Sequence, residues 1–240
     1  MFVAQRALIF PAPQTFPSVP VGYQRIAFQT ADGLNLAGVW RAPRPGRPVV
    51  LFFHGNGDSW SGGACAVAGL AEAGYGVFLP EYRGYGGNPG KPTEQGLYLD
   101  GRAALAWLKA RGFASGQVLL VGNSIGGGLA TQLAIETTPA ALILVSPFSS
   151  LPDVVAEKFP WIPVRLLIRD QFDNAAKIGR VAAPILILHG TADGLIPHSH
   201  SERLARINQR ARLVLVPSVG HELAYGPEAQ LAELDWLAGL

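Results

Sequence analysis

The chain has 240 residues, 49% hydrophobic and 15% charged, with a net charge of +2 and one cysteine, Cys65. That length suits a single α/β domain spanning 1–240, and an apolar balance of this kind suits a central sheet buried on both faces. So slight an excess of positive charge, with no Lys/Arg run, excludes nucleic acid as a partner, and a lone cysteine excludes both an internal disulfide framework and a cysteine-based metal site. Cys65 sits among Ala64, Ala66, Val67 and Ala68, a setting that predicts a packing role.

Met1 to Phe10 holds one arginine and a short apolar stretch before Pro11 and Pro13. It lacks the apolar core and small-residue cleavage site of a secretory signal, and no stretch reaches the ~20 apolar residues of a membrane span. A cytoplasmic location with no integral membrane segment is expected. Ala7-Leu8-Ile9-Phe10 is expected to add a strand or to pack on the sheet edge. Tyr23–Thr30 and Leu34–Arg41 alternate apolar and polar residues and meet at Asp32-Gly33, the signature of a hairpin.

From Val49 the rhythm becomes strand then helix. Strands are predicted at Val49–Phe53, Gly76–Pro80, Gln117–Val121, Ala140–Val145, Ile185–Leu188 and Arg212–Val216. Helices are predicted at Ala64–Ala73, Thr93–Arg111, Ser124–Thr137, Ser199–Asn208 and Gly226–Leu240. Such alternation predicts a mostly parallel sheet wrapped on both sides. One stretch breaks it. Residues 147–184 carry Phe159, Trp161, Phe172 and the Leu166-Leu167-Ile168 cluster between two strands, and read as a small cap over the strand ends, where open α/β sheets bind ligands.

Gly122-Asn123-Ser124-Ile125-Gly126 follows an apolar strand and precedes a helical pattern. A tight strand–turn–helix lifts a serine hydroxyl off the sheet, and the glycines clear the bend around it. Serine is a weak nucleophile until a base held by an orienting acid activates it. Of the five histidines, His221 follows the last strand directly. His54 and His189 end strands just before glycines and are expected to make structural hydrogen bonds. His198 and His200 have the spacing of a metal pair, but no further ligand accompanies them, so a solvated loop role is expected. Asp193 lies just beyond the strand 185–188, whereas the competing Asp170 and Asp173 lie inside the 147–184 segment. Ser124, Asp193 and His221 then occur in the order Ser…Asp…His, each after its own strand.

Acyl transfer also needs donors for a developing oxyanion. The amide of Ile125, next to the serine, is one candidate, and the amide of Asn56, in the His54-Gly55-Asn56-Gly57 loop, is the other. The glycine run 84–92 fails the Walker pattern, because Tyr85 stands where its first glycine is required and Pro92 where Ser or Thr should be. No Gly-x-Gly-x-x-Gly fingerprint is completed either. Neither a nucleotide cofactor nor a metal is expected.

With these residues placed, the sequence resembles the α/β-hydrolase superfamily along nearly all its length. It is most similar to a small-cap branch of serine hydrolases with a His-Gly-Asn oxyanion loop. The likeness is carried by residues 52–57, Glu81-Tyr82-Arg83-Gly84-Tyr85-Gly86, residues 122–128, and His189-Gly190-Thr191-Ala192-Asp193 with Gly220-His221. It implies hydrolysis of small-molecule carboxylic esters or thioesters without a cofactor, and supports the triad Ser124, Asp193 and His221. The sequence departs from the family at Glu81, where Asp is usual and where a structural carboxylate capping the following loop is expected. It departs again at Asn123, a variable position often larger or basic, and in having no N-terminal membrane anchor. Phe159, Trp161 and Phe172 are expected to line an apolar acyl pocket. A peptidase or amidase, a ligand receptor with a silent triad and an inert scaffold stay open as alternatives, as does the oligomeric state.

Overall fold

The computed structural model describes residues 9–161 and 163–240, apart from the side chains of Arg165 and Leu166. Its strands are β1 (Gln24–Gln29), β2 (Asn35–Arg41), β3 (Val49–Phe53), β4 (Gly76–Pro80), β5 (Val118–Asn123), β6 (Ala141–Val145), β7 (Ile185–Gly190) and β8 (Ala211–Val216). They form one sheet in the order β1-β2-β4-β3-β5-β6-β7-β8, antiparallel where β1 meets β2 and β2 meets β4, parallel elsewhere. Helices α1 (Trp60–Ala66), α2 (Ala68–Glu72), α3 (Glu94–Lys109), α4 (Gly126–Glu136), α8 (Ser199–Ile207) and α9 (Pro227–Leu237) cover the sheet. The 147–184 segment contributes the short helices α5 (Leu151–Lys158), α6 (Val164–Leu167) and α7 (Ala175–Ile178). This is the α/β-hydrolase fold. No helix among the described residues is long and apolar enough to cross a membrane.

Strands β3 to β7 are buried along their whole length, so their apolar runs show no alternation in the sequence. The alternation is spatial. Leu51, Leu120, Leu142 and Ile187 face one layer with Leu97, Leu129 and Leu204 of α3, α4 and α8. Val50, Leu119, Ile143 and Leu186 face the other with Leu70 and Trp236 of α2 and α9. Period-two side-chain direction thus divides one continuous apolar run between two cores.

The β1–β2 hairpin forms as expected, its turn closed by the Thr30 and Gly33 amides on Leu34 and Thr30 carbonyls. Arg83 ties this turn to α3: its guanidinium binds Asp32 at 2.8 Å, and its Nε binds Asp100 at 2.8 Å. The glycine-rich loop after β4 is therefore anchored by ion pairs to the body of the fold. Helix α3 starts where Thr93 accepts the Gly96 amide. The predicted helix 64–73 is two helices that meet at Val67, and the first begins earlier, at Trp60. Cys65 is exposed, which corrects its expected packing role: it falls on the outward face of α1.

Phe172 is another correction. It is fully buried with φ of +41°, edge-on to Phe10 and Tyr98, and joins the larger core cluster. Gly128 makes room for it, because a Cβ there would lie 2.6 Å from the ring. Ile9 and Phe10 pair in no strand, and Phe10 is buried against that ring. Ala7, Leu8 and the Leu166 side chain lie outside the described residues.

Glu233, on α9, is buried, and its Oε2 has no hydrogen-bond partner among the described residues. Burial pushes its carboxyl up to about 8. Below the ordinary glutamate range both folded and unfolded chains hold the proton, so nothing is lost. As pH rises toward 8, only the unfolded chain releases it, and stability falls by about 1.4 kcal/mol per unit. Glu233→Gln is expected to be more stable than the parent at pH 8, by a few kcal/mol on the order of that slope, with the gap closing toward pH 4. Denaturant midpoints across that pH range measure it.

Candidate active site

Backbone crowding fixes the serine turn. A Cβ on Gly122 would lie 2.5 Å from the Gly126 carbonyl oxygen, and one on Gly126 would lie 2.1 Å from the Phe53 carbonyl oxygen. No side chain fits at either position, so β3, β5 and the start of α4 close on one another only through glycine. Ser124 between them takes φ of +53°, a conformation L-residues avoid, held by its amide on the Val145 carbonyl and by the Gly127 amide on its own carbonyl. The helix predicted from Ser124 begins two residues later, at Gly126.

His221 stands in the loop after β8. Its Nε2 lies 3.1 Å from Ser124 Oγ and its Nδ1 lies 2.7 Å from Asp193 Oδ2. A carboxylate only accepts, so Nδ1 carries the proton and Nε2 is free to accept from the serine hydroxyl. The loops after β7 and β8 meet at Gly190, where a Cβ would come within 2.2 Å of the Val219 carbonyl oxygen, and the Ala192 amide bonds that carbonyl. Asp193 Oδ1 accepts the Leu195 and Ile196 amides at 2.8 Å each. Burial raises its affinity for a proton, but the hydrogen bonds from His189, His221 and Ile196 outweigh burial and hold the carboxyl well below the usual range.

The loop after β3 presses against this turn: Gly55 packs beside Ser124 and Asn123. His54 anchors the loop. Its Nδ1 faces the Gly55 carbonyl and its Nε2 faces Glu81 Oε1, each at 2.8 Å. Both partners are acceptors. Burial opposes charge on this ring, yet Glu81 and the Gly55 carbonyl prevail and raise its pKa. Glu81 Oε2 also accepts the Trp60 amide at the start of α1, so this carboxylate holds the loop after β3 and the next helix. Its expected duty in the loop after β4 falls instead to Asn88, whose Nδ2 donates to the Glu81 carbonyl. The Asn56 side chain is bound to the Ile9 carbonyl and accepts from Tyr85.

These groups border a cavity of about 340 Å³ lined by Asn56, Asn123, Ser124, Leu195, His221 and Tyr225, among others. Tyr225 escaped the sequence reading. Its hydroxyl donates to Asp58 at 2.7 Å and faces Asn123 Nδ2 at 3.5 Å. A tyrosine four residues past a histidine carries no motif, and only the 3-10 turn His221–Tyr225 brings it to the cavity. Phe159 and Trp161 do not line it. They stack edge-on with each other at 6.0 Å and are largely exposed, Trp161 at 76%. With Phe172 in the core, all three aromatic expectations for this cavity are corrected. An aromatic-rich insertion states apolar area, not the direction in which it faces.

Asp170 and Asp173 serve helix starts, accepting the Glu94 and Ala176 amides at 2.9 Å. His200, expected in solvent, is buried, its Nδ1 accepting the Ser149 amide at 3.2 Å, while His198 pairs with Glu202 at 3.6 Å. Among the described residues, no three His, Cys, Asp or Glu side chains gather as a metal-ligand cluster.

The chain belongs to the alpha/beta hydrolase fold family, whose model matches residues 48–169. It is 40% identical over 227 residues to an uncharacterised protein of Mycobacterium tuberculosis, covering 90% of this chain and 80% of that one. It is 34% identical over 197 residues to human alpha/beta hydrolase domain-containing protein 17B, covering 80% of this chain and 67% of the relative. The Pyrococcus furiosus esterase Pf2001 superposes with a TM-score of 0.74 at 19% identity, over 95% of each chain. An alpha-beta hydrolase from Vibrio vulnificus superposes at 0.77 with 24% identity, over 92% of this chain and 82% of that one. At these identities, likeness to the two solved structures speaks for the fold.

Removing Glu81 would strand a buried imidazole and the Trp60 amide. Glu81→Ala is expected to cost about 3–5 kcal/mol of stability. Because the His54 pKa is raised on folding, its pairing contributes fully below the unfolded value and fades as pH rises through the folded one. Chemical denaturation should therefore show a wider gap between parent and variant at pH 6 than in alkaline solution.

Proposed function

We propose that this chain is a serine hydrolase that cleaves small carboxylic esters or thioesters through an acyl-enzyme on Ser124. The observation that carries the reading is the continuous hydrogen-bond chain Ser124–His221–Asp193 opening on a surface cavity. His221 Nε2 takes the Ser124 proton as Oγ attacks the acyl carbon, while Asp193 holds the tautomer and stabilises the imidazolium that forms. The amides of Ile125 and Asn56 stabilise the oxyanion, with Gly55 placing the His54-Gly55-Asn56 loop against the nucleophile. The imidazolium then returns its proton to the departing alkoxide or thiolate. Water attacks the acyl-enzyme, His221 accepting its proton and passing it back to Ser124. These steps draw only on acid–base groups of the chain itself. Residues 147–184 act as a short cap whose aromatic face looks away from the acyl group.

The cavity sets the substrate size. Leu195, half exposed, is its aliphatic wall, and Asn56, Asn123 and Tyr225 add polar groups to the lining. Short acyl groups fit this lining better than long chains.

Ser124→Ala is expected to lower kcat by about 10⁴-fold or more with its unfolding midpoint kept, and to lose labelling by a fluorophosphonate. A folded variant hydrolysing p-nitrophenyl esters at the parent rate would refute the assignment. Across p-nitrophenyl acetate to laurate, kcat/KM should peak at short chains. Leu195→Ala should weaken butyrate selectively, by several-fold on the scale of about 0.8 kcal/mol per lost methylene contact. Trp161→Ala should leave the profile unchanged, and Phe172→Ala should cost about 3–5 kcal/mol of stability rather than shift chain-length preference. A profile that climbs to laurate, or moves in Trp161→Ala, would defeat this.

A further inference from the structure

Asp193 has more donors around it than the orientation of His221 requires. Oδ1 is occupied by the Leu195 and Ile196 amides. Oδ2, the oxygen 2.7 Å from His221 Nδ1, has a second imidazole beside it: His189 Nε2 stands 3.2 Å away. His189 is fully buried at the end of β7, four residues before the carboxylate.

Its proton can be placed by elimination. The neighbours of Nε2 are the Asp193 carboxylate and the Ile196 carbonyl, the latter at 2.9 Å, and both are acceptors only. Nε2 therefore carries hydrogen. On the far side of the ring, Nδ1 lies 2.6 Å from the hydroxyl of Ser201, itself fully buried in the first turn of α8. With Nε2 protonated, Nδ1 offers its lone pair and Ser201 donates to it. A ring turned over would set a carbon against each partner. Ser201 thus fixes the ring, and its one Nε2 hydrogen stands between the Ile196 carbonyl, at 2.9 Å, and the oxygen that His221 also uses, at 3.2 Å.

We propose that His189, held by Ser201, is a positioning residue for the hydrolytic reaction, donating to the Asp193 oxygen shared with His221 and so setting how strongly that carboxylate holds the His221 imidazolium. The inference rests on the roles given above to Ser124, Asp193 and His221. A carboxylate oxygen shared between two imidazoles carries less charge toward either one. Without His189 the same carboxylate would stabilise protonated His221 more strongly, so the base would become free only at higher pH. Among the described residues, Asp193 is the titratable side chain that His189 meets from the loop after β7, and α8 presents Ser201 to it. Glu222, beside His221 in the chain, turns its carboxylate to the Gly220 amide at 3.3 Å.

The test uses the full chain, with active sites counted by fluorophosphonate labelling so that rates are expressed per reactive Ser124. In His189→Leu, which keeps bulk but loses the donor, the acid limb of kcat/KM on p-nitrophenyl acetate should move up by about half a pH unit or more. Its kcat should fall roughly tenfold at near-constant KM, on the scale of a lost positioning contact. His189→Gln, whose amide nitrogen can reach the place of Nε2, should restore the limb. Ser201→Ala, a milder change to the fold, should move it in the same direction by less. A purely structural role would lower the count of labelled sites and leave the limb where it was. That result in His189→Leu, or in Ser201→Ala if the leucine variant does not fold, would overturn the proposal, as would a glutamine variant that shifts like the leucine one. Failure of the parent chain to label at all would instead refute the hydrolase reading beneath it.

Discussion

Backbone meets backbone where β5 turns into α4, and the site depends on that contact. Gly126 lies so close to the Phe53 carbonyl, and Gly122 to the Gly126 carbonyl, that a single methyl group at either would push β3 and the helix start apart. Ser124 accepts a left-handed backbone as a result, with strain on the order of 1–3 kcal/mol absorbed by the strands packed around it. The same contact brings the loop after β3 alongside the serine. Ser124 and the candidate oxyanion amides are placed by one steric event rather than by separate ones.

A second close approach, Gly190 against Val219, does for Asp193 and His221 what the first does for Ser124. The parallel register sets strand ends side by side, and Gly190 opposite Val216 continues that register into the two loops that carry Asp193 and His221. The buried charges beside these turns are all supplied with partners. Glu81 answers His54 and the start of α1, and Asp193 receives two amides and two imidazoles. Arg83 spans Asp32 and Asp100. Burial that would otherwise neutralise such groups is turned into rigidity, because each charge can be satisfied in only one arrangement. Glu233, on α9, is an exception, its Oε2 without a hydrogen-bond partner among the described residues.

Local regularities were legible where the physics is local. Apolar runs of five or six residues between helical patterns gave the strands of the sheet to within a residue or two, since a strand buried on both faces must be apolar throughout. The Asp32-Gly33 hairpin was legible for the same reason, being decided by neighbours in the chain. The helix starts at Trp60 and Gly126 were less so. The first is set partly by Glu81, 21 residues away, and the second by steric closure against β3.

By itself, the sequence determined the α/β-hydrolase fold and the order of the chemical groups along it: a glycine-flanked serine, then Asp193, then His221, each after an apolar strand. Direction and distance were decided by tertiary structure. Phe172 reads like Trp161 in the sequence, yet one fills the core against Gly128 and the other stands in solvent, because burial depends on which surface lies opposite. Tyr225 reached the cavity, and His189 reached Asp193, through loops whose approach is controlled by packing between strand ends. Period and composition encode how much apolar surface must be hidden. Which side chain then faces a neighbour 30 or 100 residues away follows only from the packed arrangement.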